Sequence, residues 1–264
     1  MGCAFEKGEK MDFSFEGTGG YRVPTGIGGL DIQLGGGVPT GATILVLAEP
    51  GANADLFARQ FVQGGLLNNE EVYYFSSEHP VQEIISEMRG MKIDVLKHMG
   101  NSSLEFIDAY SPRFYNVLPK EFTNIISAKD FLKKGTDSMN MLKVTVVQKR
   151  MNKYRGVIDS ISYFLRSYPL HNVVEAIEIM SSVGKATGAI QLILMTSGMH
   201  DHITENNLKH ICDGVIELRL KEHGSEIERT ILIRKMRGML VPNRTIPYVV
   251  TAKGIELETT TRVL

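Results

Sequence analysis

The sequence predicts an α/β fold in which a mainly parallel sheet carries helices on both faces. Short apolar runs of strand length alternate with longer stretches of helical periodicity, and this alternation builds parallel sheets through crossover connections. Towards the carboxyl end the helical stretches stop. Apolar runs at 215–221, 229–235 and 248–251 follow one another across turn residues, which predicts antiparallel strands at one edge of the sheet.

The elements can be justified in chain order from their periodicity. Predicted strands, each an apolar run bounded by polar or turn residues, span 43–48, 71–76, 104–107, 156–159 and 190–196. Predicted helices span 54–67, 80–91, 172–187 and 205–210. The first helix has Leu56, Phe57, Gln60, Phe61 and Leu67 at helical spacing, so we expect this face to pack on the sheet.

Two segments fall outside this alternation. Residues 1–20 read as an arm that precedes one domain over residues 21–264. Phe13 and Phe15 alternate on one face of a short strand in the arm, with few local residues to cover them, so we expect the arm to pack onto another protein. Residues 119–155 keep neither period and form a variable, insertion-like segment.

Composition and charge limit the class of function. The 264 residues are 43% hydrophobic and 22% charged, which suits a globular chain with a sizeable core. Lys and Arg number 29 against 30 Asp and Glu, so no overall basic field attracts nucleic acid. Cys3 and Cys212 form no zinc-binding pattern. No run reaches the roughly 18 apolar residues of a membrane span, and we expect a cytoplasmic protein.

The strongest local signal is a buried strand, a tight loop and a helix N-terminus, which is the layout of a phosphate-binding loop. The loop residues are Glu49, Pro50, Gly51, Ala52, Asn53, Ala54 and Asp55. The P-loop pattern requires Gly, four residues and then Gly-Lys-Ser/Thr. Those defining positions hold Ala48, Asn53, Ala54 and Asp55. The sequence therefore predicts a vestigial nucleotide-binding loop.

Several ordered segments resemble the RecA superfamily, specifically the KaiC-like ATPases of archaea and bacteria. They are TGIGGLD at 25–31, GGGVPTG at 35–41, EPG at 49–51, SEHP at 77–80, VIDS at 157–160, CDGVIEL at 212–218 and KMRG at 235–238. The resemblance runs from about Tyr21 to Leu257, with 119–155 as its weak middle. It implies a RecA-like P-loop NTPase fold.

The resemblance also implies what the loop has lost. In the family a lysine neutralises the β- and γ-phosphates, a Ser or Thr hydroxyl binds magnesium and a glutamate acts as base; this chain holds Ala54, Asp55 and Ser77 there. A lost charge-assisted contact costs about 1.5–3 kcal/mol, and a carboxylate about 4 Å from a phosphate adds up to about 4 kcal/mol of repulsion. We expect MgATP binding to fail and no cofactor or catalytic residue, with Glu78 and Asp159 as vestigial candidates.

Lys235 and Arg237 alternate along a predicted edge strand and therefore point to the same face. The resemblance implies a role for them, because in KaiC-like hexamers the matching pair reaches the adjacent subunit's nucleotide. Charges on an edge strand also prevent strands of different molecules from pairing. The residues leave both interpretations open.

A basic run without an acid comprises Lys143, Lys149, Arg150, Lys153 and Arg155. It fits a solvated helix face, a contact with another protomer or a strip that follows a phosphate backbone.

A histidine cluster and a pair of serines are further candidates for a metal site and for a nucleophile. His200, Asp201, His202 and His210 carry metal-ligating groups, but the resemblance places the first three in a flexible loop, so we expect no metal. Ser160 and Ser162 lack the glycine elbow of a hydrolase nucleophile.

The function predicted from these patterns is a non-catalytic RecA-like and KaiC-like protein. It acts as a protein-binding or regulatory subunit in a homo- or hetero-oligomer with RecA-like subunits, and it gives Lys235 and Arg237 in trans to a partner ATPase. One alternative is an atypical ATP-binding protein or ATPase that holds nucleotide through loop amides. The other is a DNA-associated recombination accessory protein that uses the basic run.

Overall fold

The computed structural model describes residues 21–114, 137–148, 154–224, 226–251 and 253–258. Its strands are β1 (Arg22–Val23), β2 (Val38–Pro39), β3 (Thr43–Ala48), β4 (Glu71–Ser76), β5 (Leu104–Asp108), β6 (Tyr154–Asp159), β7 (Ile190–Thr196), β8 (Gly214–His223), β9 (Glu226–Met236), β10 (Ile246–Thr251) and β11 (Gly254–Leu257). Its helices are α1 (Gly28–Gln33), α2 (Ala54–Leu67), α3 (Val81–Gly90), α4 (Val95–Gly100), α5 (Ser138–Gln148), α6 (Ile161–Ser167), α7 (Leu170–Thr187) and α8 (His202–Ile211), with a 3₁₀ turn at Ser111–Phe114.

One nine-stranded sheet has the order β11-β10-β9-β8-β3-β7-β6-β4-β5. The strands from β8 to β5 in this order run parallel; for example, Val46 of β3 lies opposite Leu194 on one side and Ile216 on the other. β8, β9, β10 and β11 pair antiparallel in succession. The predicted parallel sheet with antiparallel carboxyl-terminal strands is therefore confirmed, and β3 is an inner strand as expected.

Helices cover both faces of the sheet because successive residues of the buried strands point to opposite sides. Ile44 and Val46 of β3 pack in a cluster with α1, α2 and α3. Leu45 and Leu47 pack in a second cluster with α5, α6, α7 and α8. Near-continuous burial of β3 on both faces is typical of a parallel sheet enclosed by helices.

The predicted apolar face of α2 is confirmed at Phe57 and Phe61, which are both buried. It is wrong at Leu67, the last residue of the helix, whose side chain is 75% exposed. Val62 and Leu66, one turn apart, continue the buried stripe instead. The helix ends at this point, so Leu67 extends past the sheet.

The predicted insertion-like segment contains α5, which packs through Met139, Leu142 and Val146 on the side of the sheet that carries α7. Residues 115–136 and 149–153, together with the arm that carries Phe13 and Phe15, lie outside the described residues.

Arg155 contradicts its predicted place in an exposed basic strip, because it lies on β6 and its side chain is fully buried. Its guanidinium forms an ion pair with Glu70 and donates to the carbonyl oxygens of Phe61 (3.0 Å) and Pro24 (2.8 Å). The residue connects the start of the domain to α2.

Among the described helices, none is long and apolar enough to cross a membrane.

Candidate functional site

The loop that joins β3 to α2 lies at the carboxyl end of β3, where ligand loops of open α/β sheets are found. Its backbone is held from outside the loop. The Glu49 carboxylate accepts a hydrogen bond from the Leu220 N–H (2.8 Å), and the Ala52 carbonyl accepts one from the Tyr248 hydroxyl (2.6 Å). Contacts with β8 and β10 therefore fix the loop without a ligand.

Asn53 stands directly before α2 in a left-handed conformation, with φ 59° and ψ 44°. Its side chain does not cap the helix, and its Oδ1 atom is buried without a partner among the described residues. Glycine adopts this conformation without strain, whereas Asn is one of the few other residues that tolerate it. The backbone geometry of the loop is therefore compatible with the glycine that the P-loop pattern requires here.

Asp55 lies in the first turn of α2, and its half-exposed carboxylate is paired within the chain. Its Oδ2 atom is 2.8 Å from Nη2 of Arg59, one turn further along the helix. The same Arg59 guanidinium contacts the Glu87 carboxylate of α3. Ala54 supplies no cation, so this helix N-terminus presents a carboxylate where the family pattern has a lysine and a hydroxyl.

Asp159 and Ser77 stand side by side where β6 and β4 end. The Tyr74 hydroxyl donates to Asp159 Oδ2 (2.6 Å). Burial raises the pKa of Asp159, and the hydrogen bond from Tyr74 opposes that rise. The Ser77 hydroxyl donates to the Ser160 carbonyl oxygen (2.9 Å) and accepts from the Ser160 N–H (3.0 Å). Ser77 therefore connects the two strand ends, and its hydroxyl is occupied by backbone groups.

Glu78, the second acidic candidate, points to α6 rather than to Asp159. Its Oε1 atom is 2.6 Å from Nη2 of Arg166. Arg113 donates to the Ser77 carbonyl oxygen (2.6 Å) and stacks 4.0 Å above the Tyr163 ring. The structure thus brings Asp55, Glu78 and Asp159 to the carboxyl ends of the parallel strands, but each carboxylate has a partner from its own chain.

Lys235 and Arg237 lie at the other end of the parallel strands from the loop, near the amino ends of β3 and β8. The prediction of an edge strand is wrong, because β9 lies between β8 and β10 in the sheet. The Lys235 ammonium donates to the His210 carbonyl oxygen at the end of α8 (2.9 Å), and Nη1 of Arg237 is 2.9 Å from Oδ1 of Asp213. Asp213 in turn receives the Thr43 N–H at the start of β3 (3.2 Å). β3 has six residues, which separates its two ends by roughly 17 Å or more. The pair therefore cannot reach the loop of its own chain.

The remaining candidates have local roles. Asp201 caps α8 by accepting from the Thr204 N–H (2.8 Å), and Ser160 caps α6 by accepting from the Ser162 N–H (3.2 Å). Within the described ranges no group of three His, Cys, Asp or Glu residues is arranged to hold a metal. His202 is the first residue of α8 rather than part of a loop.

The predicted basic run is divided by the fold. Lys143 on α5 pairs with Glu175 of α7 (2.6 Å), while Arg155 is buried. Lys149, Arg150 and Lys153 lie outside the described residues.

The sheet order and the strand, loop and helix at its centre define a RecA-like P-loop NTPase fold. The family model described as the KaiC ATPase matches residues 23–262, and the chain belongs to that family. A UPF0273 protein of Thermotoga maritima is 28% identical over 239 residues, which cover 89% of this chain and 94% of the relative. UPF0273 proteins of Aeropyrum pernix and Pyrococcus furiosus are 28% and 26% identical; each match covers 89% of this chain and 92% of the relative.

The nucleotide and magnesium that an ATPase fold implies do not fit the residues present. Ala54 cannot neutralise phosphate charge, the Asp55 carboxylate repels it, and Oδ2 of Asp159 accepts from Tyr74. Sequence reasoning missed Arg59, Tyr74 and Arg166 as the partners of the three carboxylates. The spacing of four residues between Asp55 and Arg59 is a signal for a helical ion pair, whereas the other two contacts join residues distant in sequence.

Proposed function

We propose that this chain is a non-catalytic member of the KaiC ATPase family. It docks beside a catalytically competent RecA-like subunit and presents Lys235 and Arg237 to that subunit's nucleotide. The observation that carries the proposal is the position of the pair near the amino ends of the parallel strands, whereas the loop of the same chain lies at their carboxyl ends. Two cations so placed act on another molecule.

The charge state of the pair supports this role. The Lys235 ammonium contacts a neutral carbonyl oxygen, so no carboxylate cancels its charge in that contact. The Arg237 side chain is 69% exposed and gives one N–H to Asp213. A guanidinium has five N–H donors, so Arg237 retains donors for a neighbour's phosphate. An arginine inserted into another subunit's site accelerates phosphoryl transfer by about 10³–10⁵.

The loop supports the other half of the proposal. Its two ties, to Leu220 and Tyr248, hold it in place without a ligand. Arg59, the cation that follows one turn into α2, is already shared by Asp55 and Glu87. No residue of the loop is a Lys or Arg, so the helix N-terminus carries no compensating charge for a triphosphate.

The test mixes the protein with RecA-like ATPases of the same cell and measures their turnover. We expect one of them to form a complex and to hydrolyse ATP faster in it, and the combined change Lys235→Ala and Arg237→Ala to abolish the increase while leaving the complex intact. Arg89→Ala near the end of α3 with Lys92→Ala just beyond the helix is the matched control, because both side chains are exposed and the change removes the same two charges elsewhere. If the partner's turnover is the same with and without the Lys235 and Arg237 changes, only a scaffold role remains. If no complex forms at all, the proposal is overturned.

Asn53 favours one other function, an atypical nucleotide-binding protein. Its left-handed backbone keeps the turn into α2, and its Oδ1 atom is a buried acceptor that no other residue in the described part of the chain contacts through a hydrogen bond. Such a protein would bind ATP through loop amides without a lysine. Direct titration with ATP separates it from the first proposal.

A further inference from the structure

A basic groove lies on the side of the sheet that carries α8, away from α2. It consists of two adjoining cavities of about 300 and 350 Å³, which share Lys209, Glu217 and Arg234 in their lining. Arg219 and Lys221 of β8 line the first cavity, and Lys235 lines the second. The first cavity opens beside the carboxyl ends of β3, β7 and β8, where ligands bind in open α/β sheets.

Glu217 forms the floor of this groove and orients its arginines. Its side chain is 5% exposed; Nε of Arg234 lies 3.0 Å from one carboxylate oxygen and Arg219 pairs with the other. Burial alone would raise the pKa of Glu217, but the hydrogen bonds from Arg234 and Arg219 outweigh it and hold the pKa below its ordinary value. Glu217 is therefore charged and fully occupied, and it acts as a positioning residue.

The groove has more positive than negative charge. Its cations are Lys209, Arg219, Lys221, Arg234 and Lys235, and its carboxylates are Glu49, Glu217 and, behind Lys209, Glu205. Glu228 lies opposite Lys221 in the β8–β9 pair, so five cations against four carboxylates leave an excess of one positive charge. The Glu49 carboxylate is already satisfied by the Leu220 N–H. Concave walls concentrate such an excess and attract anions.

We propose that this groove binds a phosphate group carried by a small molecule. A phosphate monoester carries about 1.5 to 2 negative charges near neutral pH and a diphosphate carries more, so either complements the positive excess of the groove. Arginine side chains recognise phosphate through paired N–H donors, and Arg219 and Arg234 are 34% and 51% exposed, so donors beyond those given to Glu217 remain accessible. The exposed Lys221 adds a further charge at the rim of the first cavity.

Isothermal titration calorimetry with pyrophosphate at low salt tests the proposal. We expect saturable binding that weakens about tenfold or more in Lys221→Glu and in Arg234→Ala, since each loses a charge-assisted contact. Lys97→Ala, which removes an exposed lysine on α4, should leave the affinity unchanged. Lys221→Glu places a second carboxylate opposite Glu228 in the β8–β9 pair, so thermal unfolding of this variant is measured alongside to show that it is folded.

Asp55→Asn locates the binding site. This change removes the charge that repels phosphate at the helix α2 N-terminus, and it leaves the groove untouched. Affinity that stays constant in Asp55→Asn and falls in the two groove variants supports the proposal. No saturable binding, affinity indifferent to both groove variants, or affinity that rises in Asp55→Asn would overturn it.

Discussion

The Tyr74 hydroxyl of β4 donates a hydrogen bond of 2.6 Å to Oδ2 of Asp159, the last residue of β6. Burial raises the pKa of this carboxyl above its ordinary value of 3.8. It raises the pKa of Tyr74 as well, and the adjacent Asp159 charge adds to that rise. The hydrogen bond from Tyr74 opposes the rise at Asp159, so burial sets the direction of the shift for both groups.

Asp159→Asn is predicted to stabilise the protein increasingly as pH rises. Above 3.8 the unfolded chain loses the Asp159 proton before the folded chain does, so the free energy of unfolding of the wild type falls through the window up to the raised pKa. The amide oxygen of Asn can still accept from Tyr74 and cannot ionise. Urea unfolding at about pH 4 and about pH 7 measures the difference. A variant that is less stable than the wild type at the higher pH would contradict this prediction.

Restoring the P-loop residues is predicted to recover nucleotide binding without turnover. Asn53→Gly, Ala54→Lys and Asp55→Thr together add a cation and a hydroxyl and remove a repelling charge, together worth roughly 5 kcal/mol. Thermal unfolding with and without MgATP should show a shift in the variant. Ser77 still supplies no base, so ATP hydrolysis should stay at background. A variant that hydrolyses ATP would show that the base lies elsewhere, and one that does not bind would show that the loop backbone has changed.

Arg155→Met is predicted to lower the free energy of unfolding by about 3 kcal/mol or more, because it removes one member of a buried ion pair and leaves carbonyl groups unpaired. Lys143→Ala is the matched control. Its partner Glu175 is 58% exposed, so this change should cost about 1 kcal/mol or less. Chemical denaturation checks both. Equal losses would mean that Arg155 is not the tie between the domain entry and α2.

Deletion of residues 1–18 is predicted to change the oligomeric state or partner binding, because the sequence pattern predicts that Phe13 and Phe15 share one strand face with few local residues to cover them. Analytical ultracentrifugation and pull-down with a candidate partner measure the two effects. Phe13→Ser with Phe15→Ser should reproduce the deletion, and Ser14→Ala should not. An arm-less chain with unchanged assembly and binding would refute the prediction.

Much of the fold could be predicted because its signals are local. The bounds of α2 and β7 follow from apolar periodicity and are confirmed without a shift. Helices α1, α4 and α6 were missed because each has only six or seven residues, too few to show a period.

The candidate site was less accessible to sequence reasoning than the fold. Ala54 and Asp55 are visible in the sequence as departures from a pattern. Arg155 pairs with Glu70 and Asp159 accepts from Tyr74, and in each pair the two residues lie 85 positions apart in the sequence. A charge run carries no information about which of its members a strand will bury, so the sequence at 143–155 gives no sign that the fold separates Arg155 from Lys143. The groove around Glu217 has the same character, since α8, β8 and β9 each contribute part of it.

Isothermal titration calorimetry of the wild type with ATP and magnesium tests most directly whether this nucleotide site holds MgATP. We expect no magnesium-dependent heat of binding, and the same result in Asp159→Ala. Any magnesium-independent heat of binding should be reduced in Lys221→Glu, because we assign it to the groove. Magnesium-dependent binding at micromolar affinity that Asp159→Ala abolishes would contradict this expectation and establish a working ATP site.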